Sequence, residues 1–319
     1  MKILVTGSTG HLGEALMRTL ESSEHDAHGL DRLPSSYTHH VASISDRAAV
    51  REHMRGVDAV LHTATLHKPH VATHSNSDFV ETNIQGTLTL LEEAVAAGVR
   101  SFIFTSTTST FGRALSPAAG EPAAWITEDV TPVPKNIYGV TKVAAESLCE
   151  LFHRNTGLPV VILKTSRFFP EEDDDPVHRS QYSDDNSKAN ELLFRRVDIA
   201  DAVDAHLLAL GRAQALGFGR YIISATSPFQ QSDLAELNID APAVVRRYMP
   251  ELDELYRTRG FRMFDRIDRV YVNQRARNDL GWQPRFDFKH VLSRMRQGLP
   301  LQSELAALIG SKGYHRERA

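Results

Sequence analysis

The 319-residue sequence predicts an α/β fold, a doubly wound parallel sheet with a smaller C-terminal lobe. Short β-branched apolar runs alternate with helix-spaced stretches up to about residue 168, the rhythm of parallel strands joined by crossover helices. A glycine-rich turn, TGSTGHLG, joins the first such strand to the first such helix. Beyond residue 168 the alternation gives way to polar and Arg- and Pro-containing segments. The expected division is 1–168 for the sheet domain and 169–319 for the lobe, the two interleaved.

The elements follow in order. KILVT at 2–6 is a buried strand. After the glycine turn, Leu12, Ala15, Leu16 and Leu20 share one helix face. His25–Leu30 reads as the second strand and Asp58–His62 as the next, with His62 a core residue. Asn83–Ala97 is a helix stopped by Gly98, and Ser101–Thr105 is a strand. Tyr138–His153 is a helix, and Leu158–Leu163 is another buried strand. In the second half a helix is expected at Asp198–Leu210 and a strand at Arg220–Ile223, with the tail SKGYHRERA frayed.

Apolar residues make up 41% and charged residues 24%, an ordinary globular balance. Thirty-six Lys and Arg against 40 Asp and Glu give a net charge of -4, which argues against nucleic acid as a partner. No apolar run approaches the roughly 20 residues of a spanning helix, so no membrane role is expected. The single cysteine, Cys149, excludes an internal disulfide and a Cys-rich metal site, and no metal is expected. MKILVTG opens on a strand and shows no secretory signal, so a cytoplasmic protein is expected.

The glycine turn carries the first chemistry. Gly7, Gly10 and Gly13 stand at GxxGxxG spacing, with His11 and Leu12 between them. Glycines let the backbone approach a pyrophosphate, and the helix N-terminus supplies N–H donors and a positive dipole. Asp31 lies 18 residues past Gly13, at the end of the second strand. A carboxylate there accepts both ribose hydroxyls of a dinucleotide and repels a 2′-phosphate, favouring NAD over NADP. Arg32 argues the other way, since a guanidinium welcomes phosphate.

Tyr138 and Lys142 form YGVTK, at i and i+4 on one helix face. A nearby cation favours a phenolate, which could take a proton from an alcohol while hydride leaves.

These features together resemble the extended short-chain dehydrogenase/reductase superfamily, in its NAD-dependent epimerase/dehydratase branch. TGSTGHLG, Asp31, NIQGT at Asn83–Thr87, YGVTK, and LGW at Leu280–Trp282 carry the likeness, which runs to about residue 295. It implies a Rossmann-like fold with NAD as cofactor and substrate held between the sheet's C-terminal edge and the small lobe. It implies catalytic roles for Tyr138 and Lys142, the lysine also holding the nicotinamide ribose. The stretch FTSTTSTFG matches the strand end that provides a third hydroxyl, Thr107, with Thr108 as the alternative. Ala64 in HTAT, Asn83, and Phe168 in RFF match cofactor-contacting positions. Ser43 stands where the family has an adenine-contacting Asp. A homodimer through the helices at 83–97 and 138–153 is implied as well.

Two segments depart from the family pattern. SPAAGEPAAWITED lengthens the loop between Thr107 and Tyr138, with Trp125 either a lid or a surface anchor. The run EEDDD at 171–175, in a short segment before Phe194, would repel a diphosphate. A small sugar, sugar acid or polyol is therefore expected in preference to a nucleotide sugar. Candidate substrate contacts are Thr108, His67, Arg195 and Arg269, with Arg196 and His70 nearby. The expected activity is hydride transfer at a secondary alcohol, as a dehydrogenase or an epimerase. The alternatives are a nucleotide-sugar epimerase or dehydratase, and a non-catalytic dinucleotide sensor.

Overall fold

The computed structural model describes residues 1–118, 120–173 and 175–313. Its centre is a seven-stranded, wholly parallel sheet. Strands β1 (Lys2–Thr6), β2 (Asp26–Asp31), β3 (His40–Val41), β4 (Ala59–His62), β5 (Ser101–Thr107), β7 (Val160–Thr165) and β8 (Phe218–Ile223) lie in the order β3-β2-β1-β4-β5-β7-β8. The order reverses at β1, so a crevice opens between β1 and β4 at their carboxyl ends, where such sheets bind ligands.

Alternation fixes which face each strand residue serves. Ile3 and Val5 point into the core under α1 (His11–Glu21) and α8 (Ile199–Leu216), while Leu4 points into the core under α2 (Arg47–His53), α4 (Gly86–Ala96) and α5 (Ile137–Thr156). Cys149 is buried in that second core. The fourth helix is longer than its apolar pattern suggests. It begins with a short turn, α3 (Asn76–Phe79), capped by Ser75 and Asp78, and passes through a π segment at Val80–Gln85.

The lobe is held by β6 (Ala124–Ile126) paired in parallel with β9 (Arg269–Tyr271). Its core gathers Leu193, Phe194, Val245, Ile267 and Phe288 around Ala123. Trp125 lies on β6 and packs against this core, neither as a lid nor as a surface anchor. The boundary expected at 168 does not divide the fold. α8 and β8 belong to the sheet, and Trp282 and Ile309 sit in the same core as Ile3, while β6 from the first half builds the lobe. No helix among the described residues is long and apolar enough to cross a membrane.

Candidate functional site

A cleft of about 1320 Å³ runs along the carboxyl edge of the sheet and under the lobe. It is lined by the glycine turn, Asp31 and Arg32, Ser43, Ala64, Thr107 and Thr108, Tyr138, Ser166 and Phe168.

The glycine turn is built for close approach. Gly7 has φ +77°, and a Cβ there would stand 2.7 Å from the Ala64 nitrogen. A Cβ on Gly13 would stand 1.9 Å from the Gly7 carbonyl oxygen. Gly10 caps α1 without a side chain, leaving the first-turn N–H groups without a side-chain acceptor. Asp31 accepts from Thr9 N and Leu33 N, both at 3.0 Å, which fixes its carboxylate at the cleft wall. Ser166 Oγ, just past the end of β7, is buried, lines the cleft and has no hydrogen-bond partner among the described residues. A cradle with no room for Cβ atoms, an uncapped helix N-terminus, an anchored carboxylate and an unpaired hydroxyl fit an extended dinucleotide.

At the other end, Thr107 and Tyr138 are both nearly buried, and the Thr107 hydroxyl favours the Tyr138 phenolate. Burial pushes the Tyr138 phenol up to about 12, against the opposing influence of the Thr107 hydroxyl. Lys142 does not line the cleft. Its ammonium donates to Thr105 O at 2.7 Å and lies 4.0 Å from the Phe104 ring centre. Burial, partly offset by the Glu146 carboxylate, pulls it down to about 7. The cation-stabilised phenolate expected from the i, i+4 spacing is therefore absent from this arrangement.

Asn83, expected to touch the cofactor, is committed to the protein. Its oxygen accepts from Leu66 N and Thr65 Oγ1, and its amide donates to Leu66 O and Thr141 Oγ1, at 2.9–3.0 Å. Those four bonds exhaust an amide side chain, so Asn83 ties the loop after β4 to α5 instead. His62 is buried between Thr6 and Thr87.

The expected substrate residues reach the cleft, but two are tethered. Arg269 donates to Gly112 O and Ser116 Oγ, both at 3.2 Å, pinning the loop after β5. Arg195 pairs with buried Glu191, which Arg167 and Arg196 also approach. His67 is buried and stacks on Phe169 at 5.0 Å.

Four acids of the run have described partners, and Asp174 lies outside the described residues. Glu171 accepts from Lys312 N and Ser311 Oγ and pairs with His11 at 3.0 Å. Burial pushes its carboxyl up, but His11 and the Lys312 N–H outweigh this and hold it at about 2. Asp173 pairs with Arg167, Glu172 lies 3.8 Å from Arg179, and Asp175 caps the helix Pro176–Gln181. The expected repulsion of a diphosphate is reduced at Glu171 and Asp173, whose charges are paired. Nor are Ser311–Gly313 frayed: Ser311 donates to Glu171, and Lys312 and Gly313 line the cleft, with Lys312 paired to Glu14. The rest of the tail, 314–319, lies outside the described residues.

Sequence reasoning missed Thr9, Ser166, Glu171 and Lys312. The last two act through contacts about 140 residues apart, for which the sequence carries no local signal.

Residues 3–223 match the family model described as the NAD dependent epimerase/dehydratase family. A UDP-glucose 4-epimerase of Rhizobium leguminosarum bv. trifolii is 25% identical, over 91% of this chain and 94% of that one. An NAD-dependent glucose-6-phosphate dehydrogenase of Haloferax volcanii is 32% identical over 50% of this chain and 65% of that one. The chain spans less than two thirds of the length of the first curated relatives it matches, 39%, 56% and 65%. A crystal structure of a short-chain dehydrogenase/reductase superfamily protein from Agrobacterium tumefaciens, with bound NAD, superposes with a TM-score of 0.65 at 25% identity, covering 93% of this chain and 98% of that one. A UDP-glucuronic acid 4-epimerase from Bacillus cereus shares the fold, with a TM-score of 0.63 at 21% identity over 96% of this chain and 99% of that one. With its family model matched over more than two thirds of its length and its glycine cradle shaped for NAD, the chain belongs to the NAD-dependent epimerase/dehydratase family.

Proposed function

We propose that the protein moves a hydride between NAD and a secondary alcohol of a sugar derivative, with Tyr138 as proton carrier. The observation that carries this is that Thr107 and Tyr138 line the same cleft as the glycine cradle. NAD, when bound, supplies the hydride acceptor. Tyr138 takes the hydroxyl proton as the C–H hydride leaves, and returns it when the ketone is reduced. Thr107 orients the phenol. With the phenol pushed up to about 12, Tyr138 holds its proton, so alcohol oxidation needs Lys142 to leave Thr105 and bring its charge to the phenol. Release of the ketone makes a dehydrogenase, and reduction on its other face makes an epimerase.

A nucleotide-sugar substrate is a second reading. The pairing of Glu171 and Asp173 supports it, as does a cavity of about 470 Å³ that shares Arg195 and Asp268 with the cleft and is lined by Tyr182, Phe264 and Arg266. The relatives named for UDP-sugars favour it too. One experiment separates the readings: incubate the protein with NAD and a panel of free sugars, sugar acids and UDP-sugars, following NADH and sugar interconversion. Turnover confined to UDP-sugars replaces the first reading with the second. No turnover across the panel, with NAD bound, leaves a dinucleotide sensor.

We also propose a cytoplasmic homodimer. Val140 and Leu151 are exposed on α5, apolar positions that a partner's helices would cover. Light scattering returning 35.5 kDa at micromolar protein would overturn the dimer.

A further inference from the structure

Behind the Thr107–Tyr138 pair lies a buried ion pair that no part of the proposed reaction uses. Glu146 is on α5, one further turn along the face that carries Tyr138 and Lys142. Lys164 is on β7, directly beside Ser106 of β5. Both side chains are almost completely buried. Lys164 Nζ donates to Glu146 Oε1 at 2.6 Å and to Thr110 Oγ1 at 2.8 Å. Thr110 Oγ1 in turn donates to the Thr107 carbonyl at 2.8 Å, and Ser106 Oγ donates to Glu146. Arg220 Nε approaches the other Glu146 oxygen at 3.5 Å.

These contacts grip both sides of one residue. Ser106 precedes Thr107 and Thr110 follows it by three, and both end on the Glu146–Lys164 pair. The pair joins α5, which carries Tyr138, to β5, which carries Thr107. A buried pair of this kind is seldom a net source of stability, because desolvation offsets much of the attraction. What it does give is direction, since each charge demands particular partners in one geometry.

We infer that the Glu146–Lys164 pair is a positioning device that sets the register of α5 against the end of β5, holding the Thr107 hydroxyl beside Tyr138. This rests on the proposed roles of those two residues, but its test needs no substrate. Tyrosines are labelled with ¹³C at Cζ in the full-length protein, and the Tyr138 signal is the one that disappears in Tyr138→Phe. Thr107→Val gives the position of that signal without the Thr107 hydroxyl. Lys164→Met is expected to move the Tyr138 signal most of the way to the Thr107→Val position, and Lys164→Arg to leave it near wild type. Val245→Ala, in the lobe core, controls for lost stability alone and should not move it. If Lys164→Met does not fold, Glu146→Gln/Lys164→Met removes both charges, leaves no orphaned carboxylate, and is read in the same way. A wild-type Tyr138 signal in whichever of these variants folds overturns the inference. So does a shift of equal size in Val245→Ala. Once a substrate is known, the folded variant should lose about 10- to 100-fold in kcat with KM within threefold. Absence of turnover in wild type would count against the catalytic reading and leave the spectroscopic result standing.

Discussion

Gly13→Ala should damage the cofactor cradle from within. A Cβ at position 13 would lie 1.9 Å from the Gly7 carbonyl oxygen, where ordinary contact begins at 3.4 Å, so the two backbones must separate by about 1.5 Å. Neither side is free to yield. Gly7 O accepts from Gly10 N at 3.0 Å, and Gly7 N donates to Leu30 O at 2.8 Å. Overpacking costs about 1–3 kcal/mol, about 2 kcal/mol at its centre, and the loss of the Gly10 bond adds about 1 kcal/mol. The total of about 3 kcal/mol corresponds to roughly two decades in an equilibrium constant. It divides between two observables. If the turn shifts in the free protein, stability is spared and NAD must push the turn back, so affinity falls. If the turn stays, stability falls instead. Urea unfolding and NAD calorimetry on the same variant therefore measure losses whose sum should be about 3 kcal/mol. Gly98→Ala is the control: Gly98 has φ +74° with nothing within 4 Å, so alanine there costs only the left-handed strain of about 1–2 kcal/mol and leaves NAD affinity unchanged. A summed loss below about 1 kcal/mol for Gly13→Ala would refute the reading of the turn as a space-limited cradle.

Tyr138→Phe should lower turnover by about 10²–10⁴-fold while calorimetric NAD affinity stays within twofold, because only the proton carrier is lost. Asp31→Ser should raise NADP binding relative to NAD by at least about tenfold, since it removes the carboxylate facing the ribose; an unchanged ratio in calorimetry would make Arg32 the determinant. Lys142, pulled from 10.5 down to about 7, holds fewer protons folded than unfolded between those values. Its contribution to stability therefore grows as pH rises from 7 to 10.5 and is lost as pH falls back through 7. Urea midpoints for wild type should rise relative to those of Lys142→Met between pH about 7 and about 9, and parallel midpoints would contradict the burial of Lys142.

The parts of this fold that were legible in sequence are those whose signal is local. KILVT, the glycine turn and the i, i+4 pair declare themselves within a few residues, because strand period, φ preference and helix pitch are local physics. The early start of the Asn83 helix was also written locally, in the Ser75–Asp78 cap, but the apolar stripe drew attention further along. β6 and β9 were illegible because three-residue strands carry almost no periodicity and exist only through each other, 145 positions apart. Within the site, motif position brought Thr107 and Tyr138 forward but said nothing of where side chains turn. Asn83 and Lys142 spend their polar atoms on Leu66, Thr141 and Thr105. The partners of the acidic run are only partly legible: Arg167 and Arg179 stand within seven residues of Asp173 and Glu172, whereas His11 and Lys312 reach Glu171 from distant parts of the chain.

The interleaving of sheet and lobe bears on how the chain is made. Trp282 Nε1 reaches Asp201 O at 2.9 Å, and Ile309 packs in the core that begins with Ile3. At about 5–20 residues per second, the first strand leaves the ribosome roughly 15–60 s before the segment that completes its core. For that interval α1 and the β1 face have apolar surface with no cover, and β7 waits as a bare edge until β8 arrives. Synthesis should therefore pass through a long, chaperone-dependent half-finished state. Ribosome-stalled chains cut at about residue 230 should bind NAD no better than unfolded protein, although every glycine of the cradle has already been made.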